Sequence, residues 1–427
     1  MKSMKLICLS CLIGMVAAPH IASGAQFRTD INPAMLYYQA MNLTPDLSAA
    51  DREYLFADTE WRVQRLPDRV GDLLARYDNQ FKLVRQAAQA TVPCDWGIDM
   101  SPGPQTLLPH LGRIRGVVQA ARLRAMWALQ QGRQADACEE LLAALALGRN
   151  ASHDGILISA MVQFASETMI CSTVAENFHR FTPESLKQLA DGFAAAPTRG
   201  TVAACIPAEK TSFLDWLENK ILELQKDNPG NDAKVMAGIS KLVNSFQGPE
   251  EGPSNKPEVS FADEIARAAG GTSEGVLKLL HDEVALYERL AQVVALPPRE
   301  YEEQMHPLLA QIQNTSNPLV KMTFPAFEKC RQKEFAVQAA SAMVQAAIAY
   351  KLSGDEGFQS VVDPCGDGPF GIQRFIFEGA DRGFQLKSAY AGRGFPETFI
   401  FVEKEGTPFC VNGQKAWQAV PKSALGK

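Results

Sequence analysis

The chain has 427 residues, which is long enough for two or three domains. Hydrophobic residues make up 46% of it and aromatic residues only 8%, so alanine and leucine supply most of the apolar content, which favours packed helices over sheets. The formal net charge is −6, and removing Lys2 and Lys5 with the first 25 residues leaves 40 basic against 48 acidic residues. A mildly acidic chain is a poor candidate for binding nucleic acid or anionic lipid.

The N-terminus has the pattern of a secretory signal peptide. Two lysines precede a short apolar run, Leu6–Ala18, and Ser23 and Ala25 occupy the positions expected before a cleavage at Gln26. The run is too short for a comfortable membrane span. We expect an exported protein, periplasmic or extracellular, and an uncleaved signal anchor or a lipid anchor at Cys11 stays open as the alternative.

The body of the chain shows apolar residues at helical spacing, and residues 94–152 are the clearest case. A Pro/Gly-rich turn leads into a long helix, a turn follows at Gly132, and a second helix ends near Gly148. This hairpin resembles a tetratricopeptide hairpin, but the full signature is absent and no repeat of about 34 residues recurs. We therefore predict a repeat-like hairpin in a mainly helical body.

The composition changes after residue 353, where glycine and aromatic residues become frequent. Three short runs, Ile372–Phe377, Gly383–Tyr390 and Glu397–Val402, predict strands. The fold class we expect is mainly α, an irregular or TPR-like array or bundle of helical hairpins, followed by a small C-terminal antiparallel β subdomain. The predicted divisions are a signal peptide at 1–25, a helical domain at 26–206, a second helical region at 207–353 with a mobile loop near 228–257, the β-rich subdomain at 354–413 and a tail at 414–427. Within the long helix predicted from Pro318 to Leu352, Pro325 should restart the helix or kink it.

Seven cysteines remain after the signal peptide, an odd number that leaves at least one thiol unpaired. Cys365 and Cys410 flank the strand-rich segment and are the predicted disulfide in an exported chain. No CxxC motif occurs among these seven cysteines, and the adjacent residues His281, Asp282 and Glu283 would diverge on a helix. We predict neither a metal site nor a cofactor.

The segment Gly271–Gly275 matches the G-x-S-x-G pattern of hydrolases. In those enzymes the serine lies between a buried strand and a helix, whereas the segment before Gly271 is helical in character. We expect a helix junction in which Ser273 caps the following helix, rather than a nucleophile.

Two groups of polar residues are candidate ligand sites. The first surrounds the start of the hairpin, where acids on a turn precede basic residues at a helix start. These residues could line a ligand site. Alternatively, they could form a network of contacts that fixes the conformation of the turn, with the tryptophan packed over it. The members of this group are Asp95, Trp96, Asp99, His110, Arg113 and Arg115.

The second group, Ser159, Gln163 and Glu167, shares one face of an otherwise apolar helix. A buried glutamate is costly unless it is paired, and Arg115 or Arg122 could supply the partner. The favoured interpretation is a structural ion pair that holds two helices in register. The alternative is a polar pocket inside the bundle.

Several segments are similar to a group of uncharacterised exported bacterial proteins rich in alanine and leucine. They are CDWGID, LLPHLGRIRGVVQAARLRA, NPLVKMTFPAF, DPCGDGPFGIQRF and GFQLKSAY. The resemblance implies an export signal, a helical body and a small β-rich tail, and it implies no function. The tail is also similar in its local fold to the C-terminal part of type II secretion pseudopilins, from which no role in secretion is carried over.

These features favour a non-enzymatic, exported interaction scaffold. Its expected partners are other envelope or secreted proteins, with no nucleic acid and no transmembrane span after signal cleavage. The alternative is an extracytoplasmic hydrolase that uses a polar pocket, with Glu167, His110 and the neighbouring arginines as candidates.

Overall fold

The structure is a computed structural model. The residues it describes are 28–56, 61–62, 65–245, 260–390 and 398–405. The predicted signal peptide, the predicted tail at 414–427 and Cys410 lie outside them.

The described chain is mainly helical, with a three-stranded antiparallel sheet near its C-terminus, as predicted. Side-chain caps begin many of the helices, for example Thr182 and Ser260, and proline takes a first-turn position in several others. A π-helical turn, Thr211–Asp215, joins the helix Val202–Lys210 to the helix Trp216–Asp227. The helices are α1 (Pro33–Asn42), α2 (Ala49–Leu55), α3 (Asp68–Ala75), α4 (Asp78–Ala88), α5 (Pro109–Gln130), α6 (Gln134–Asn150), α7 (Leu157–Glu176), α8 (Pro183–Ala195), α9 (Val202–Lys210), α10 (Trp216–Asp227), α11 (Asp232–Asn244), α12 (Phe261–Ala268), α13 (Ser273–Val294), α14 (Pro298–Asn314) and α15 (Pro318–Gln359).

The predicted hairpin is formed by α5 and α6. Gly132 makes the turn with a left-handed φ of 74°, a conformation that glycine adopts without strain. The second helix runs to Asn150, two residues past the predicted end at Gly148. A Cβ at position 148 would come within 2.8 Å of Ser166, so this glycine lets α7 pack closely against α6.

The apolar side chains form two main cores. The first contains α1 to α6, the C-terminal half of α7, α8 and one face of the sheet. The second contains the start of α7 and the helices α9 to α14. The long helix α15 contributes to both, since Leu319–Val337 lies in the second core and Ala340–Ile348 in the first.

Helix α15 does not break where the sequence suggested. Its backbone is helical across position 325, so the helix does not restart there, although a restart is one of the two outcomes predicted. The departure from helical geometry occurs at Gly354, with φ 64° and ψ −150°. Glycine can adopt this conformation because it has no Cβ, so the break between the two helical segments of α15 falls there.

The sheet is formed by β1 (Gly371–Phe377), β2 (Ala380–Lys387) and β3 (Thr398–Val402), in that spatial order. Strand β2 ends before the predicted limit at Tyr390. Asp363 is buried and accepts hydrogen bonds from the Ser388 hydroxyl and from the backbone N–H of Ala389, which draws the chain out of the sheet.

The mobile loop predicted near 228–257 is wrong for its described part. Asn231 caps helix α11 by accepting a hydrogen bond from the backbone N–H of Lys234. Val235, Ile239 and Val243 follow at four-residue spacing and are buried in the second core. This apolar stripe lay within the segment that the glycine and proline content suggested was a loop.

Helix α7 is long and apolar enough to cross a membrane by length and composition alone. Sequence analysis predicts no transmembrane span after signal cleavage, and α7 is the one described helix that meets these criteria of length and composition. In the structure 61% of its apolar window is buried inside the fold. Its N-terminal half lies in the second core and its C-terminal half in the first.

The six described cysteines are free thiols, and five of them are buried. No disulfide is found among the described residues. Cys365, one partner of the predicted bridge, is a half-buried free thiol, and its proposed partner Cys410 lies outside the described residues.

Candidate functional site

The charged members of the first predicted group lie on the surface. Asp95 and Asp99 each accept a hydrogen bond of 2.9 Å from the backbone N–H two residues further along the chain. Arg113 is exposed and donates to the side chain of Asn42, and Arg115 is also exposed. The two acids thus act as local turn caps, since each carboxylate serves its own loop.

Trp96 and His110, by contrast, belong to the first core. The Trp96 ring stacks between Tyr37, at a centroid distance of 5.8 Å, and His110, at 4.6 Å. Its indole N–H donates to the backbone oxygen of Asn150 at 2.7 Å, and the Asn150 amide donates to the Tyr37 hydroxyl. With only 4% of its surface exposed, Trp96 pins the turn to the end of α6.

His110 is almost fully buried, and neither ring nitrogen has a hydrogen-bond partner among the described residues. Its Nε2 lies 3.9 Å from Oδ2 of Asp154, an oxygen that also accepts a 2.6 Å hydrogen bond from Ser159. Burial lowers the pKa of His110 and raises the pKa of Asp154. Both shifts favour the neutral forms, so this contact is not a strong ion pair.

The second predicted group lies on one face of α7, and all three residues are buried. The Gln163 amide donates to Oε1 of Glu167 at 2.9 Å, and its oxygen accepts from the backbone N–H of Gly200 at 2.9 Å and from the Ser152 hydroxyl. These hydrogen bonds therefore attach both the short turn after α6 and the segment before α9 to helix α7.

Glu167 is paired with arginines that the sequence did not single out. Its Oε2 lies 2.6 Å from Nη2 of Arg199 and 3.3 Å from Nη2 of Arg149. Neither Arg115 nor Arg122 is among its described partners, so that part of the prediction is wrong. Arg149 lies in the last turn of α6 and Arg199 precedes α9, and both reach α7 only because these segments cross in the fold.

The electrostatics of Glu167 are those of a satisfied ion pair. Burial alone would raise its pKa, but the hydrogen bonds and charges of Arg199 and Arg149 outweigh burial and lower it. Both carboxylate oxygens accept hydrogen bonds from arginine, and Oε1 accepts a further one from Gln163. A carboxylate so occupied is poorly placed to act as a general base.

The G-x-S-x-G segment is a helix junction, as expected. Helix α12 precedes it, and the cap of α13 is Thr272, whose hydroxyl accepts from the backbone N–H of Gly275, rather than Ser273 as predicted. Ser273 is buried and bonded to the side chains of Asp232 and Gln225. It therefore links α13 to α10 and α11.

No group of three or more histidine, cysteine or acidic side chains is placed to hold a metal ion in the described part of the chain. His281 is exposed and lies 3.0 Å from Glu218, while Glu283 points into the second core. Adjacent helical positions diverge, as the sequence suggested.

A groove that sequence analysis missed lies where α14, α15 and the segments flanking the sheet meet. Its volume is about 1030 Å³. Glu328 and Gln332 of α15 form one wall, and the segments Pro364–Asp367 and Ala389–Tyr390 form another. The remaining wall is one face of α14, with side chains three and four residues apart: Glu302, Met305, His306, Leu309, Ala310 and Gln313.

Tyr301 lies in the floor of this groove. Its side chain is fully buried, packs edge-on against Phe335 at 5.3 Å, and has a hydroxyl without a hydrogen-bond partner among the described residues. The adjacent Tyr390 differs, since its hydroxyl donates to the backbone oxygen of Gln332 at 3.2 Å. A buried hydroxyl without a partner is unfavourable, so a ligand that supplied one would gain free energy.

Comparison with protein-family models, with curated proteins and with solved structures found no match to this chain. The geometry of these sites therefore carries the functional argument. The Glu167 network is internally satisfied. The groove beside α14 instead combines open volume, exposed polar side chains and a buried hydroxyl that has no partner in the described part of the chain.

Proposed function

We propose that this protein is an exported, non-enzymatic interaction module. In this proposal it binds a short extended segment of another envelope or secreted protein in the groove between α14 and α15. The observation that carries the proposal is the Tyr301 hydroxyl, which is buried in the lining of an open groove of about 1030 Å³ and has no partner among the described residues.

The dimensions of the groove support an extended peptide as the ligand. From Glu302 to Gln313 the α14 wall is about 16 Å long, at about 1.5 Å per helical residue. A strand advances about 3.3 Å per residue, so this wall matches about five residues of extended chain. The volume is also close to the upper limit for ligand sites, which span roughly 300 to 1000 Å³.

The chemistry of the groove supports a polypeptide as well. Pro297, Pro298, Met305 and Leu309 supply apolar surface for side chains. Burial raises the pKa of Tyr301, which keeps its hydroxyl protonated and able to donate to a peptide carbonyl oxygen. The repeat-like hairpin of α5 and α6 is a further feature common in scaffolds that bind other proteins.

The test is selection of binders from a randomised heptapeptide phage library on the purified mature protein. We expect selected peptides whose binding is lost in Gln313→Trp, because the indole fills the groove. The matched control is Gln311→Trp, an exposed position on the same helix that does not line the groove. Selection of no peptide whose binding depends on position 313 would contradict the proposed function.

Export is the second part of the proposal and rests on the signal-peptide pattern of the N-terminus. We expect the protein, expressed with its full N-terminus in a Gram-negative host, to appear in the periplasmic or extracellular fraction with Gln26 as its first residue. Intact-mass measurement and N-terminal sequencing would show this. A chain that keeps its first 25 residues in the cytoplasm would overturn export and leave the groove proposal standing.

A further inference from the structure

The groove carries more negative than positive charge. Four carboxylates line it, from Glu302, Glu303, Glu328 and Asp367, against one arginine. That arginine, Arg299, lies 3.6 Å from Glu303, so its positive charge balances the negative charge of one of the four carboxylates.

The other three carboxylates have no ion-pair partner among the described residues. Glu328 accepts only a 3.3 Å hydrogen bond from the Gln332 amide. Glu302 on α14 and Glu328 on α15 both line the groove, and partial burial and the charge of Glu328 both raise the pKa of Glu302. A positive charge between them would offset this effect of charge.

A buried cation near the floor does not supply that charge. Arg331, which acts on Tyr301 electrostatically, lies 2.7 Å from Glu334 and donates to the backbone oxygen of Leu296 at 2.9 Å. It is not part of the groove lining. The groove carboxylates are also not grouped closely enough to hold a metal ion, so an organic cation suits them better.

We propose that the groove selects a cationic segment, with a lysine or arginine side chain placed between Glu302 and Glu328 and the peptide backbone over Tyr301. This inference rests on the proposed function and adds its specificity. The aliphatic stem of such a side chain would pack on Met305 and Leu309, while its charged end reaches the acids. The Tyr301 hydroxyl would donate to a carbonyl oxygen of the bound backbone.

The heptapeptides selected in a groove-dependent manner test this specificity. We expect them to be enriched in lysine and arginine and depleted in aspartate and glutamate. Binding of a selected, fluorescein-labelled peptide should weaken about three- to tenfold in Glu302→Gln and in Glu328→Gln, and also when its lysine is acetylated. It should also weaken as salt is raised, because exposed charges are screened.

Glu300→Gln is the matched control, since Glu300 is exposed on the same helix and does not line the groove. It should leave the affinity unchanged, and thermal melting should show that all three variants fold. Groove-dependent peptides that are neutral or acidic, or that bind Glu302→Gln and Glu328→Gln normally, would overturn the charge inference and leave the proposed function intact. If no peptide is selected whose binding depends on the groove, both the proposed function and the charge inference are contradicted.

Discussion

Replacing Glu167 with alanine is expected to lower the free energy of unfolding by about 3 to 5 kcal/mol at neutral pH. The change leaves the guanidinium groups of Arg149 and Arg199 without their carboxylate, and Arg149 is only 8% exposed. It also removes the acceptor of the Gln163 amide. Urea denaturation at equilibrium would measure the loss.

The pH dependence of that loss has a defined sign. The pKa of Glu167 is lowered in the folded protein, so its contribution to stability is present above the ordinary glutamate pKa and is lost as the pH falls through the folded value. The difference in the free energy of unfolding between wild type and Glu167→Ala should therefore become smaller at acid pH. The control is Asp191→Ala, which breaks an exposed pair with Lys187 and should cost at most about 0.5 kcal/mol. An equal cost for the two substitutions would contradict the structural role of Glu167.

Replacing Glu283 with glutamine is expected to stabilise the protein in a pH-dependent way. Glu283 is fully buried on α13, one of its oxygens accepts a 2.8 Å hydrogen bond from Thr323, and the other has no partner among the described residues. Burial raises its pKa from 4.5 to about 7, despite the opposing effect of Thr323. The folded chain therefore holds a proton that the unfolded chain releases.

The pKa of Glu283 is higher in the folded chain than in the unfolded chain. Its contribution to the free energy of unfolding is therefore fully present below pH 4.5 and is lost as the pH rises towards 7. A shift of this size corresponds to about 3 kcal/mol. Glutamine at position 283 cannot ionise. The free energy of unfolding of Glu283→Gln, measured by urea denaturation, should therefore equal that of wild type at pH 4.5 and exceed it by about 3 kcal/mol at pH 8. Glu288→Gln, at an exposed position of the same helix, is the control. A gain that does not change with pH would show that Glu283 does not titrate in this range.

The helical body and the small sheet could be predicted because both depend on local patterns. Apolar residues at helical spacing mark α5 and α7, glycine marks the turn at 132, and the alternation after residue 370 marks strands. The segment at 228–245 was misjudged because a single stripe of valine and isoleucine outweighs the glycine and proline around it. Where the long helix breaks depended on Gly354 and not on the proline at position 325.

The sites were harder to predict because they combine residues distant in sequence. That Ser159, Gln163 and Glu167 share a face follows from helical periodicity, but Arg199 lies 32 residues from Glu167 and its role depends on how α7 and the segment before α9 cross. The groove joins residues from 297 to 390. The exposed stripe of Glu302, His306 and Gln313 on α14 was a weak signal, since most solvated helix faces look the same.

Helix α15 also constrains when the first core can form during folding. The first core takes most of its apolar side chains from the first 195 residues, yet it closes with Ala340–Ile348 and with Phe384 and Phe401 of the sheet. A chain synthesised from its N-terminus must therefore carry an exposed apolar surface until residues 340–401 have been made. Such long-range closure is expected to slow the folding of the first core, because distant parts of the chain must meet before its contacts form.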